Sequence, residues 1–384
     1  MKRIIYLIAL TVLVMTGCKD LINTTNSNQY EKYIFFSQEV NTKAPLIEST
    51  GTMQRFGVVG FKYDNTTNWN AYKNTSPAPT PNVFYDQIDN TNPIQYQLVN
   101  VETVTCDTEV NGYADGMYAP LQGWVNNKKY TFFAYYPICK TSVQLVNQNG
   151  ANYSGGAPAI KYSISDDDAT TSANETYESM ADVMIAEHVV NNVTVNEDLY
   201  WTSSTDNNIN NGDITFSFKH CLSSLGVKVK NSSSSQIQLA SMTLSVLNIL
   251  YNQIVIPLDG STPQKTEASS PMSASLALSL TNDEKAIAAG SNVELADKLM
   301  FIPQAANISI HITFAYKRNG ETENVVISVP YPDANGNEQY LTTPLVQGTK
   351  NLIHLNFKDS SVDVSGVFSS DDWVTIPDVE DTFN

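Results

Sequence analysis

Short apolar runs rich in aromatic and β-branched residues recur along the chain, each closed by a cluster of Asn, Asp, Gly or Pro. In the first half they fall at 33–40 (YIFFSQEV), 57–63 (GVVGFKY), 95–104 (QYQLVNVETV), 130–137 (YTFFAYYP) and 181–190 (ADVMIAEHVV). Runs of this length and composition between turn formers predict strands, and their spacing predicts an all-β sandwich architecture. The second half alternates more strictly. In 308–316 (ISIHITFAY), Ile308, Ile310, Ile312, Phe314 and Tyr316 share one face while Ser309, His311 and Thr313 take the other, as a half-buried strand requires. His311 is therefore expected to face solvent. Further strands are predicted at 237–247, 253–258, 298–304, 325–331 and 351–357. One stretch, 282–290 (NDEKAIAAG), predicts a short helix with Asn282 as N-cap, acids in the first turn and Gly290 just past the end. No repeat of fixed period is present.

The N-terminus follows a different pattern. Lys2 and Arg3 precede the apolar run Ile4 to Met15, too short for the roughly 20 residues a bilayer-spanning helix needs, so the segment reads as a secretory signal. It ends in Val14-Met15-Thr16-Gly17-Cys18, which resembles the bacterial lipobox, with Met15 where Leu is commoner. Cys18 would then carry a diacylglycerol thioether and become the new N-terminus. Lys19-Asp20 partly resembles a short acidic export signal that sends lipoproteins to the outer face of the outer membrane. Residues 18–30 are polar and aperiodic, a tether. A chain of 384 residues suits two domains, and the turn-forming stretch 202–212 (SSTDNNINNGD) places the junction between them. The expected organisation is a signal peptide over 1–17, a tether over 18–30, and domains over 31–205 and 206–384, the second with a C-terminal extension.

Composition narrows the function. An apolar content of 42% with 16% charged residues is enough to fill a core. The net charge of -17, with no basic run, excludes nucleic acid as a partner. With Cys18 lipidated, Cys106, Cys139 and Cys221 remain; three cannot all pair, and no C-x-x-C supports a thiolate zinc site. The nucleotide, hydrolase and zinc-protease signatures are absent. Asp166-Asp167-Asp168 reads as a solvated loop. The segment 333–338 (DANGNE) places its glycine, Gly336, at the wrong position for a calcium loop, and reads as a hairpin turn.

His220-Cys221 is the one pair that could be a nucleophile and its base. Adjacent strand residues point to opposite faces, and Ile214, Phe216 and Phe218 carry the apolar face on to His220. The pair thus reads as a core histidine satisfied by backbone beside a small, semi-buried cysteine, ahead of an enzyme using Cys221. No catalytic residue, cofactor or metal ion is expected.

Several segments, in order, resemble the fimbrillin family of bacterial outer-membrane pilus proteins (the fimbrillin-like or Mfa-like group of type V pili). They are 33–45 (YIFFSQEVNTKAP), 55–63 (RFGVVGFKY), 124–137 (WVNNKKYTFFAYYP), 181–189 (ADVMIAEHV), 216–230 (FSFKHCLSSLGVKVK), 299–314 (LMFIPQAANISIHITF), 348–357 (GTKNLIHLNF) and 371–374 (DDWV). The family's Phe-x-His-Ala-Leu-Ser run stands here as Phe218-Lys219-His220-Cys221-Leu222-Ser223. The resemblance implies two tandem transthyretin-like Greek-key β-sandwich domains and a structural or adhesive role without catalysis. It implies a surface-exposed lipoprotein of the outer membrane that partners other fimbrial subunits in a homo- or hetero-polymer and meets a host or bacterial surface receptor. It also implies cleavage after a basic residue following the first strand, here between Lys43 and Ala44, and entry of a neighbour's strand into the freed groove. The family's site is more usually an arginine, and Arg55 opens the next predicted strand. Lys43 can equally be an ordinary loop residue of an unprocessed anchor or stand-alone surface protein. The apolar positions in 362–379 fit a donor strand or the completion of the second sandwich, with Pro377 at an edge or terminus. The rival reading is a surface-anchored glycan-binding lipoprotein, because 20 Tyr and 4 Trp could supply stacking platforms. Aromatics side by side on an exposed face would favour it; aromatics alternating into cores, as Phe132, Ala134 and Tyr136 suggest, favour a scaffold.

Overall fold

The computed structural model describes residues 34–38, 55–79, 83–85, 104–107, 115–117, 123–137, 143–164, 182–190, 193–194, 199–201, 213–278, 280, 285–295, 299–321, 325–330, 337 and 340–370. Its first half contains β1 (Phe35–Gln38), β2 (Arg55–Asp64), the helix α1 (Trp69–Tyr72), β3 (Val83–Tyr85), β4 (Val104–Asp107), β5 (Asp115–Met117) and β6 (Lys128–Tyr136). There follow β7 (Val143–Asn147), β8 (Pro158–Ser163), β9 (Met184–Val190), β10 (Val193–Thr194), β11 (Leu199–Trp201) and β12 (Asp213–His220). The remainder is β13 (Ser223–Asn231), β14 (Ile237–Pro257), β15 (Gln264–Ala277), β16 (Ala286–Ile287), β17 (Asn292–Glu294) and β18 (Leu299–Phe301). The last strands are β19 (Gln304–Arg318), β20 (Val325–Val329), β21 (Leu341–Leu345), β22 (Lys350–Phe357) and β23 (Val362–Ser370). The all-β expectation holds, and the strands fall into three sheets.

The first sheet runs β9-β12-β1-β5-β4-β2-β6 and closes into a ring, because Ala134–Tyr136 of β6 also pair with Ala186–Met184 of β9. Closure leaves no free edge along that path. Phe36, Phe56, Phe132, Phe216 and Phe218 fill its interior with Trp124 and Tyr130. The opposite faces of β2 and β6 carry Val59, Phe61, Tyr63, Phe133 and Tyr135 into the main core. Both faces of these strands are thus buried, which explains why their runs GVVGFKY and YTFFAYY are almost continuously apolar. Phe132, Ala134 and Tyr136 alternate into the ring as expected. Helix α1 is capped by Asn68, whose side chain accepts from the Ala71 N–H, and seats Trp69 against Phe61 and Phe133 at centroid separations of 4.7 and 5.2 Å.

The other two sheets pack face to face. One is built on β13, β22 and β23, with β17 and β18 on the free side of β13; the other runs β20-β19-β14-β8-β7, with β15, β16 and β21 attached. Their contact is visible where Phe357 of β22 meets Phe314 and Tyr316 of β19 at 5.4 and 4.9 Å. The alternation in 308–316 is borne out: the five apolar positions are buried and Ser309, His311 and Thr313 are half-exposed on the other face. β7 and β8, which precede the polar stretch 202–212, join this sheet through β8 against β14. The stretch itself lies outside the described residues.

Three local expectations change. The two strands expected at 237–247 and 253–258 are one strand, β14, with register shifts between Leu247 and Gln253. Asn248 takes a left-handed φ of 66 there, and the buried Gln304 side chain spans the gap, accepting from the Leu250 N–H at 2.9 Å and donating to the Asn248 carbonyl at 3.0 Å. The helix expected at 282–290 is cut short: Lys285 is helical, but Ala286 and Ile287 form β16 and pair with Gln238 and Ile237. Pairing with β14 outweighs helix propensity in so short a segment, because an isolated helical turn is unstable without tertiary support. Third, β20 and β21 each pair with β19 and not, among the described residues, with each other, so the hairpin expected around 333–338 does not form between them.

Candidate functional site

The first strand is the feature the ring is built around. β1 lies between two strands remote from it in sequence: Phe36 pairs with Ile214 of β12 in parallel and with Gly116 of β5 antiparallel. Its alternate side chains point into the ring, where Ile34 and Phe36 are buried. The Phe36 ring stacks on Phe216 at 5.7 Å and meets Phe132 edge-on at 5.4 Å. Both contacts use the offset and T-shaped geometries that aromatic quadrupoles favour. β1 is thus held by main-chain bonds along both edges and by Ile34 and Phe36 packed into the apolar interior.

Cys18, Lys43 and Ala44 lie outside the described residues, as do Asp166-Asp167-Asp168. Arg55 is the first residue of β2, as expected from the sequence. The C-terminal apolar segment divides: Val362–Ser370 forms β23, antiparallel to β22, and residues 371–384 are outside the described set.

His220 and Cys221 sit where β12 leaves the ring and β13 enters the second sheet. His220 is buried on the apolar face, but the partner is a side chain: its Nδ1 lies 2.9 Å from Asp182 Oδ1. Asp182 stands just before β9, and the antiparallel register places Met184 opposite His220, so the carboxylate arrives from the neighbouring strand. Nothing in the local pattern of 181–190 marks Asp182; only the β9–β12 register does.

Cys221 is also buried. Its N–H donates to the Val183 carbonyl at 2.8 Å and its Sγ lies 3.7 Å from the Lys219 carbonyl. Burial, and after it the charge of Asp182, pushes the thiol up to about 12, so the nucleophilic thiolate is not formed at neutral pH. Beyond it, Asn351 donates to Ser223 Oγ and the Ser224 carbonyl, both at 3.0 Å, and the Gly348 N–H donates to the Leu222 carbonyl at 2.9 Å. The joint is a hydrogen-bonded anchor between sheets.

Among the residues whose side chains are described, the aromatics form no outward platform. The one clearly exposed aromatic there is Tyr340, 6.0 Å from His311. Among those residues no cluster of three or more His, Cys, Asp or Glu could hold a metal ion.

Residues 82–373 match the family model described as Fimbrillin-like. The chain belongs to the fimbrillin-like family. Two solved structures described as "putative cell adhesion protein" are similar to this fimbrillin-like chain. That from Bacteroides uniformis has 13% identity and a TM-score of 0.46, covering 91% of this chain and 100% of its own. That from Bacteroides ovatus has 14% identity and a TM-score of 0.43, covering 91% of this chain and 99% of its own. No curated protein matches. Membership therefore stands on the family model, and the joint at His220-Cys221 is a structural element of a fimbrillin-like protein.

Proposed function

We propose that this fimbrillin-like protein is an adhesive or structural subunit of a surface fimbria, exported as a lipoprotein through Cys18 to the outer membrane and assembled by strand exchange. The observation that carries the reading is the position of β1. It is a four-residue strand, it is central in a closed ring, and both neighbours are sequence-remote. Its loss would leave one edge of β12 and one of β5 unpaired beside an aromatic-lined groove. That is the geometry of β-augmentation, in which main-chain bonds supply affinity and alternate side chains fill pockets. In this reading cleavage between Lys43 and Ala44 frees β1, and a strand from another subunit takes its place beside β12.

The finer organisation into two tandem transthyretin-like sandwiches, 31–205 and 206–384, belongs to the same proposal. It requires β7 and β8 to be lent across the boundary to β14, and β12 to be lent the other way into the ring between β9 and β1. A catalytic role gains no support from Cys221, whose thiol stays protonated.

The test is the N-terminus of the protein in purified surface filaments. A start at Ala44, converted to a start at Cys18 together with loss of polymer by Lys43→Ala, is the expected result. Polymers whose subunits all begin at Cys18 would sink the strand-exchange part.

A further inference from the structure

We infer that the outer face of the sheet built on β14 and β19 is a contact surface for a second copy of this chain. The first observation is electrostatic. β14, β15, β19, β20 and β21 run for 21, 14, 15, 5 and 5 residues, and their Asp, Glu, Lys and Arg residues are Lys265, Glu267, Lys317 and Arg318 alone. Lys265, Lys317 and Arg318 sit at or next to strand ends and Glu267 four residues into β15, so the middles of these five strands carry no charge; Lys161 of β8, opposite Val255, lies to the side. In a chain of net charge -17, this face lacks the self-repulsion that would oppose association.

The second observation is the chemistry of the side chains. His311, Leu247 and Asn248 apart, the outward positions in the middle of the face are mostly small and uncharged, and several of their hydroxyls are already paired within the sheet. Thr313 Oγ1 lies 3.1 Å from Ser328 Oγ, Ser245 Oγ lies 3.4 Å from Ser275 Oγ, and Asn248 Nδ2 donates to Ser309 Oγ at 2.9 Å. A hydroxyl with a partner in its own sheet can be covered at lower cost than one that must give up water. Beside them, Val326 opposes Ala315 and is 68% exposed, the most exposed large hydrophobic residue among those described.

Size and shape choose the occupant. About ten residues of strand at ~3.3 Å each, across four strands spaced ~4.8 Å, give on the order of 600 Å² per copy, or ~1,200 Å² for two, the lower bound of stable interfaces. A neutral glycan would stack on rings and bond to carboxylates or amides; the face offers His311 beside Tyr340 and the Asn248 amide, which already donates to Ser309, so glycan is the rival occupant that the experiment below separates. Two such faces related by a two-fold axis meet as identical patches without charge repulsion between them. The surface belongs to a different sheet from β1, so the contact is independent of strand exchange.

The experiment is sedimentation of the full chain in nonionic detergent, at low and at high salt. The expected result is a reversible dimer that salt does not dissolve. Ser245→Glu and Thr313→Glu each place a carboxylate on both copies and should raise the dimer dissociation constant by about tenfold or more. Asn149→Glu, on an exposed turn elsewhere, should leave it unchanged. Near-ultraviolet circular dichroism checks that each variant folds; should Thr313→Glu fail, Ala277→Glu at the margin of the same face replaces it. A monomer at every concentration overturns the inference, as does a dimer that salt disperses or that both glutamates leave intact. Capture of monomeric wild type, but not of the variants, by a neutral polysaccharide resin overturns it in favour of glycan.

Discussion

The ring and the face-to-face sheets behind it solve the same packing problem with different materials. The ring encloses rings: Phe36, Phe56, Trp124, Tyr130, Phe132, Tyr136, Phe216 and Phe218 make up most of its core. The sheets around β14 and β19 are filled largely by Leu, Ile and Val, joined by the long hairpin of β14 with β15. Large rigid rings leave few ways to close a gap, so a ring of strands around them depends on every member, including a four-residue β1 tied to no sequence neighbour. Aliphatic side chains on long antiparallel partners repack more readily and hold their register through local pairing. The difference places the vulnerable element at β1 and the durable one in the sheets.

The sharpest way to break that comparison is Phe36→Ala. Truncating a buried phenylalanine costs ~3–5 kcal/mol, and hydrogen exchange should accelerate in β5 and β12 while β13 and β22 stay protected. Equal acceleration everywhere would mean that ring and sheets unfold as one unit. Next comes Gly57→Ala, where a Cβ would stand 2.5 Å from the Tyr135 ring on the paired strand β6. Because β2 separates the two cores, overpacking here should cost ~1–3 kcal/mol and lower the melting temperature of the whole molecule; an unchanged melting curve would count against so tight a junction.

Gln304→Leu tests the sheets themselves. It strips the buried bend of β14 of its partners, leaving the Leu250 N–H and the Asn248 carbonyl unmet, for an expected loss of ~1–2 kcal/mol in denaturant unfolding. Exchange should rise at 247–253 with the ring unaffected. The smallest effect is expected at Asp259, which ties the β14–β15 turn to the first half of the chain through Lys73 at 3.1 Å and Gln148 at 2.8 Å. Burial works to raise its carboxyl, but hydrogen bonds from Ser261, Lys73 and Gln148 prevail and hold it below the usual value. A depressed carboxylate stabilises above its unfolded value, about pH 4, and that stabilisation is lost as pH falls through the native value. Asp259→Asn should therefore lower stability modestly at neutral pH, where that contribution is fully present, and converge on wild type as pH falls below about 4, flattening the acid limb; an acid limb identical to wild type would exclude Asp259 as the tie.

Much of this was legible in the chain. β2, β6 and β22 lie within a few residues of their apolar runs, and the period-two pattern of 308–316 assigned each side chain of β19 to its face. The His220-Cys221 pair was recognisable as core, since alternation from Ile214 onward carries the imidazole inward. Its partner was not. Asp182 meets His220 through the register of β9 against β12, and register between strands over thirty residues apart leaves no local trace. The single strand β14 was hidden for a similar reason: the left-handed Asn248 breaks its alternation, and the repair comes from Gln304, some fifty residues away.

The sequence by itself determined the β class, the buried faces of the strands and the resemblance to the fimbrillin family, because alternation, turn residues and motif order are properties of neighbours along the chain. Only the tertiary structure decided that β1 closes a ring between β12 and β5, that Asp182 finds His220, and that the uncharged positions of five separate strands gather on one face. These are pairings between distant segments. Their free energy comes from main-chain bonds and from side chains filling space together, and neither can be read from a residue and its neighbours alone.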